Sequence, residues 1–213
     1  MIKKYLKFKN LNLNNDQVDQ LLKWKVVHNF NVPYPQFVKE KILTEYNLPN
    51  STWIETGTLV GDTAKFLSKI GKQIITIEPS LKFYNISKKN LSKFSNIELI
   101  NNSSENCLNE ILGNLRDVKN ICFWLDGHFS GGDTFQGPDD TPILKELDAI
   151  EQHLQSFESV SILVDDFRLF NIDNTKNKEV YPDKSELINW CERNKLFWTI
   201  KSDIFIITNH KFS

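Results

Sequence analysis

The stretch Trp53-Ile54-Glu55-Thr56-Gly57-Thr58-Leu59-Val60-Gly61-Asp62-Thr63 constrains this chain more than any other. A short apolar run carries a carboxylate near its end, a turn with two glycines follows, and Asp62-Thr63 opens a helix. Strand, glycine turn and helix in that order belong to an open α/β sheet, whose ligands sit beyond the carboxyl ends of the strands. Gly57 and Gly61 are expected to let the backbone come close to a ligand, because a Cβ there would collide with it. One strand-length on, Ile74-Ile75-Thr76-Ile77 closes on Glu78, which is placed to accept hydrogen bonds from ribose hydroxyls. A dinucleotide fingerprint needs its first two glycines one residue apart, and Leu59 stands where the second would fall. What remains is a nucleotide-type site with no cradle for a pyrophosphate.

The rest of the chain repeats the strand–helix alternation. Asn15 or Asp16 is expected to cap a helix through about residue 28, with Val18, Leu21, Leu22 and Val26 at helical spacing. Asn31-Val32-Pro33-Tyr34-Pro35 breaks it, and a second helix spans about 35–46. Further helices are predicted over 62–70, 80–92, 105–115, 141–157 and 184–194, and strands over 73–78, 97–100, 120–126 and 160–166. The runs 120–126 and 160–166 are almost wholly apolar and close on acids, as central parallel strands covered on both faces do. Residues 197–200 and 204–208 suggest a closing antiparallel hairpin. The expected fold is a doubly wound, mostly parallel, Rossmann-like sheet of seven strands. It forms one domain over 1–213, with residues 1–50 as a helical cap and 51–213 as the core.

Composition narrows the class. At 213 residues the chain can bury roughly 70% of its unfolded surface without staples. Lys and Arg number 26 against 27 Asp and Glu, a net charge of −1, which argues against a phosphate-tracking nucleic-acid binder. Cys107, Cys122 and Cys191 form no CxxC and no paired framework, so the chain reads as cytoplasmic, with Cys122 a small core residue. No apolar stretch approaches the about 18 residues of a membrane span.

Asp126, Asp165 and Asp166 end two strands that should be neighbours. Three carboxylates at one mouth repel one another unless a cation or a shared proton intervenes. A hard divalent ion suits oxygen donors, although Asp165 or Asp166 could instead cap a turn and Asp126 bond the following Gly-rich loop. His128 follows Gly127 and precedes Gly131-Gly132, and it is a candidate base, metal ligand or backbone-bonded loop residue. Residues 129–141 read as a glycine-hinged lid, where Asp133, Asp139 and Asp140 could add metal or substrate contacts, or Asp139 or Asp140 cap the next helix. Arg168 is a cation that could hold a substrate carboxylate or phosphate, and Trp24, His28 and Tyr34 could face substrate or pack.

The Glu55-Thr56-Gly57 turn resembles motif I of class I S-adenosylmethionine (SAM) methyltransferases. Over about residues 50–170, Leu125-Asp126-Gly127-His128 and Val164-Asp165-Asp166-Phe167 extend this to the metal-dependent small-molecule O-methyltransferases of the macrocin and novobiocin type. The resemblance implies a SAM site of Glu55, Gly57, Thr58, Gly61, Asp62, Thr63, Glu78, Ser80, Ser103, Ser104 and Asp126. It implies Mg²⁺, or another divalent cation, on Asp126, Asp165 and Asp166, with Asp126 or His128 as catalytic base. Helix capping would account for at least one of the two serines. The implied reaction moves a methyl group to a hydroxyl of a small molecule or sugar. The implied partners include neither nucleic acid nor membrane, and aromatics on the N-terminal helices could form a homodimer surface. An NAD-linked oxidoreductase or epimerase lacks its middle glycine and its Tyr-x-x-x-Lys pair here. A metal hydrolase leaves Glu78 unexplained, and a non-catalytic SAM- or sugar-binding module has no use for the acidic cluster.

Overall fold

The computed structural model describes residues 13–127, 141–170 and 181–211. The strands are β1 (Thr52–Thr56), β2 (Gln73–Ile77), β3 (Ile97–Ile100), β4 (Asn120–Leu125), β5 (Ser159–Val164), β6 (Phe197–Lys201) and β7 (Ile204–Thr208). They form one sheet in the order β3-β2-β1-β4-β5-β7-β6. Strands β1 to β5 pair in parallel, and β7 runs antiparallel between β5 and β6. The predicted doubly wound sheet with a closing hairpin is therefore the fold observed. Ser202 and Asp203 turn the hairpin at φ 47° and 69°, the left-handed pair that matches strand twist.

Among the described residues two helices precede the sheet, α1 (Asn15–His28) and α2 (Gln36–Glu45). The cap of α1 is Asn14 rather than Asn15 or Asp16. Its side chain accepts from the Gln17 amide while the Gln17 side chain accepts from its own, the reciprocal box that a three-residue spacing allows. The expected apolar stripe is also not what α1 buries. Val18, Leu22 and Val26 are exposed, and Trp24 is the buried anchor. Its ring meets Phe30 edge-on at 5.2 Å and Tyr34 at 5.1 Å, so Trp24 and Tyr34 pack rather than face a substrate.

Among the described residues the helices that follow are α3 (Asp62–Leu67), α4 (Leu81–Leu91), α5 (Ser104–Asn114), α6 (Ile143–His153) and α7 (Lys184–Arg193). The helix expected over 141–157 divides, because a 3-10 turn over Leu154–Ser156 takes up its end. Side chains alternate across the strands, so the sheet builds two cores. Along β4, Ile121, Phe123 and Leu125 face a core with Leu108 and Leu112 of α5, Leu147 and Ile150 of α6, and Leu187 of α7. Cys122 and Trp124 face the other, with Ile42 and Leu43 of α2 and Leu67 of α3. Cys122 is fully buried, as expected of a small core residue. Among the described residues no helix is long and apolar enough to cross a membrane.

Candidate active site at the carboxyl edge of the sheet

The register of the parallel strands assembles the site. Thr56 stands opposite both Ile77 and Leu125, and Leu125 stands opposite Val164. The next residue of each strand therefore falls in one row: Gly57, Glu78, Asp126 and Asp165. Backbone bonds continue one step past the strands to hold it, from Gly57 to Ile77 O, from Asp126 to Thr56 O and from Asp165 to Leu125 O, at 3.0–3.2 Å.

Gly57 adopts φ 85°, a conformation that glycine tolerates and most residues avoid. A Cβ there would lie 2.6 Å from the Asp126 carbonyl oxygen, and one on Gly61 would lie 3.0 Å from the Leu91 side chain. The glycines are thus required by close approach of the chain to itself, not in the first place by approach to a ligand. The turn is tied to the neighbouring strand by side chains as well. Glu78 accepts from the amides of Leu59 at 2.8 Å and Ser80 at 2.9 Å. Burial pushes its carboxyl upward and those two bonds oppose the rise. Two amide bonds leave further lone pairs on the carboxylate for a diol.

Glu55 stands opposite Thr76 in the β1–β2 register. It is buried, accepts from the Thr76 hydroxyl at 2.5 Å, and is pushed up to about 8 by burial against that bond, with Asp126 and Glu78 adding to the rise. Thr58 closes the same network, its hydroxyl 2.5 Å from that of Thr76. Asp62 is largely exposed and pairs with Lys65 at 3.2 Å. Thr63 accepts from the Gln36 side chain of α2 at 3.3 Å. Ser103 occupies the N-cap of α5, yet its hydroxyl accepts from the Asn106 side chain at 2.8 Å and caps no amide. Ser104 is buried beside Glu146, so capping explains neither serine.

Asp126, Asp165 and Asp166 come together, with one carboxylate oxygen of each within 4.8 Å of the others. Consecutive residues on a strand face opposite ways. Asp166 escapes that rule because it takes the left-handed conformation, φ 52° and ψ 39°, as β5 gives way to a 3-10 turn over Phe167–Leu169. Arg168, on that turn, donates to Asp166 at 2.5 Å and to Asp203 of the β6–β7 hairpin. Its charge is committed to two carboxylates, so the substrate-anion role expected for it is not what the structure shows.

A residue with no sequence assignment completes the cluster. The ammonium of Lys39, from α2, donates to Asp165 and lies 5.7 Å from the centre of the Trp124 ring. Burial pulls the lysine down, but Asp165, Asp126 and Asp166 together more than offset this and raise it. Asp165 is also raised, by burial and by Asp126, against the lysine. The proton belongs on the lysine, because the direct contact favours ammonium and carboxylate together. The rise at Asp165 reflects its burial first and its repulsion from Asp126 second. The spacing to Ile42 and Leu43, three and four residues on, was the signal that puts Lys39 on the buried face of α2.

Glu146 was also missed, and it too sits at helical spacing from buried Ile143 and Ile150. Its carboxyl is buried beneath Gly127, where burial pushes it up to about 7 against the nearby Ser104 and Thr56 hydroxyls. Neither its Oε1 nor Thr56 Oγ1 has a partner in hydrogen-bonding geometry. His128, Asp133, Asp139, Asp140 and most of the expected lid lie outside the described residues.

No protein-family model and no curated protein matches the sequence. Solved structures match its fold. An O-methyltransferase from Bacillus cereus, solved in complex with SAH, superposes with a TM-score of 0.58 at 17% identity, over 97% of this chain and 96% of its own. The class I SAM-dependent methyltransferase fold is the fold of this chain. A protein assigned as a caffeoyl-CoA O-methyltransferase from Staphylococcus aureus gives 0.55 at 12% identity over 97% of each chain. One assigned as an rRNA methylase from Clostridium thermocellum gives 0.51 at 11% over 84% of this chain and 97% of its own. The same fold thus accompanies different acceptors, and the acceptor must be argued from this chain's own residues.

Proposed function

We propose that this chain transfers the methyl group of SAM to a hydroxyl of a small molecule or sugar, with a divalent cation, such as Mg²⁺, on Asp126, Asp165 and Asp166. The observation that carries the reading is the single row at the sheet's edge. It sets Asp126 and Asp165 beside a glycine turn and Glu78, and Asp166 joins them from the turn after β5 with its carboxylate oxygen converging on theirs. Three oxygens within 4.8 Å of one another can share one ion at the usual about 2.1–2.5 Å, and an all-carboxylate set suits Mg²⁺, Mn²⁺ or Ca²⁺. The SAH held by the Bacillus cereus structure supports the choice of cofactor. Bound there, SAM would supply the methyl group from its sulfonium, and the cation would acidify and orient the acceptor hydroxyl.

The chain's own residues have distinct tasks. Glu78 receives the ribose hydroxyls of the cofactor. Glu55, neutral at pH 7 and locked by Thr76, shapes the turn without adding charge beneath a cationic cofactor. Thr58, Gly61, Asp62, Thr63 and Ser80 line the turn, and Ser103 and Ser104 stand beyond β3 on the adenine side. Asp126 or His128 takes the hydroxyl proton. Helix α2 covers the mouth through Lys39 and Gln36 and keeps water from the transfer. A net charge of −1 supports a small acceptor rather than nucleic acid or an anionic membrane, and three free, buried cysteines support a cytoplasmic setting. A homodimer through the N-terminal helices belongs to the same reading.

Calorimetric titration with SAM, with and without Mg²⁺, tests the proposal, with Asp165→Ala beside the wild type. The expected result is SAM binding in both proteins and a metal site that the variant loses. Failure of SAM to bind would remove the methyltransferase reading. SAM binding without any metal site would leave methyl transfer and remove the cation.

A further inference from the structure

We infer that Lys39 is the resident counter-ion of the acidic cluster, and that its ammonium competes with a divalent cation for Asp165. The inference rests on the metal reading above. The Lys39–Asp165 pair is not an ordinary surface bridge: the two side chains are 18% and 2% exposed. An ammonium so placed, with Trp124 behind it, is largely desolvated and interacts with all three aspartates. Repulsion between it and a second cation on the same carboxylate is correspondingly strong, because little water screens the two.

The placement follows from how α2 must pack. Lys39 shares a face with Ile42 and Leu43, which are buried at 5% and 0% exposure. Seating that apolar face delivers the lysine to Asp165. One turn earlier, Gln36 bonds Thr63 at the start of α3. Helix α2 is therefore fastened both to the helix that opens the cofactor turn and to the carboxylates. Without a divalent ion, Lys39 relieves the repulsion among Asp126, Asp165 and Asp166. Entry of the ion weakens the Lys39 fastening and leaves the Gln36 bond and the buried Ile42 and Leu43 in place, so the helix stays seated while the ammonium gives up Asp165.

Binding of Mn²⁺ alone to the wild type, Lys39→Met and Lys39→Arg, with SAM titrated into the same samples, tests this. Lys39→Met keeps the stem without its charge and should bind Mn²⁺ about tenfold tighter or more, while Lys39→Arg should stay near the wild type. Equal Mn²⁺ affinity in Lys39→Met and the wild type overturns the competition and leaves the metal site standing. Weaker affinity in Lys39→Met also overturns it, since the lysine would then support the ion. No Mn²⁺ bound by any of the three removes the metal reading and this inference together, whatever SAM does. If Lys39→Met does not fold, acetylation of wild-type lysines read by mass spectrometry replaces it. Labelling of Lys39 should rise when Mn²⁺ is added, and an unchanged or lower value overturns the inference.

Discussion

Replacing Glu146 by Gln should make the protein more stable at alkaline pH and leave it unchanged in acid. The carboxyl is buried at 1% exposure and is pushed by burial from 4.5 to about 7. A carboxyl raised in the folded state binds its proton more tightly there than in the unfolded chain. Its contribution to stability is then fully present below 4.5 and is lost as pH rises through 7. At about 1.36 kcal/mol for each pH unit, the loss comes to about 3 kcal/mol by pH 8. Gln keeps the shape, carries no charge, and can donate to Thr56 Oγ1, which lacks a partner. For a domain of this size about 3 kcal/mol corresponds to roughly 6–12 °C in Tm. Thermal unfolding of both proteins from pH 4.5 to 8.5 is the assay. The two Tm profiles should meet at the acid end and separate steadily toward pH 7. Parallel profiles, or a variant that loses stability at every pH, would refute the reasoning, since Glu146 would then be ionised and satisfied.

Gly57→Ala should destabilise by about 2–4 kcal/mol in urea unfolding, because its Cβ would meet the Asp126 carbonyl oxygen at 2.6 Å and its φ of 85° is strained for alanine. A loss below about 0.5 kcal/mol would mean that the turn has room the structure does not show. Glu78→Ala removes the acceptor for Leu59 and Ser80 and for any ribose, so SAM affinity measured by calorimetry should fall about ten- to a hundredfold. An unchanged Kd would place the cofactor's ribose elsewhere.

Sheet, hairpin and helix order were legible because they rest on period. Apolar runs of strand length closing on acids define β4 and β5, and the glycine turn defines the start of the sheet. The three aspartates were legible because a run of strand length has to end at the sheet's edge. Lys39 was not, since its charge looks like one more solvated lysine until the helix face is worked out, and its partner lies 126 residues away. The face of α1 misled for a related reason: a helix held by a single indole needs no stripe. The fate of Arg168 depended on Asp203, which only the hairpin's position brings to it.

Strand β7 is threaded between β5 and β6, so β6 has nothing to join until β7 has been synthesised. A nascent chain on the ribosome that ends at β6 presents β5 as an open border, with Val160, Ile162 and Val164 beside unpaired amides and carbonyls. Such a border invites pairing between growing chains, and a chaperone that shields it would protect yield more than speed. The same translation step that covers the border delivers Asp203, which takes Arg168 and thereby fixes the backbone beside Asp166. Closure of the sheet and completion of the acidic cluster are thus one event in the life of the polypeptide.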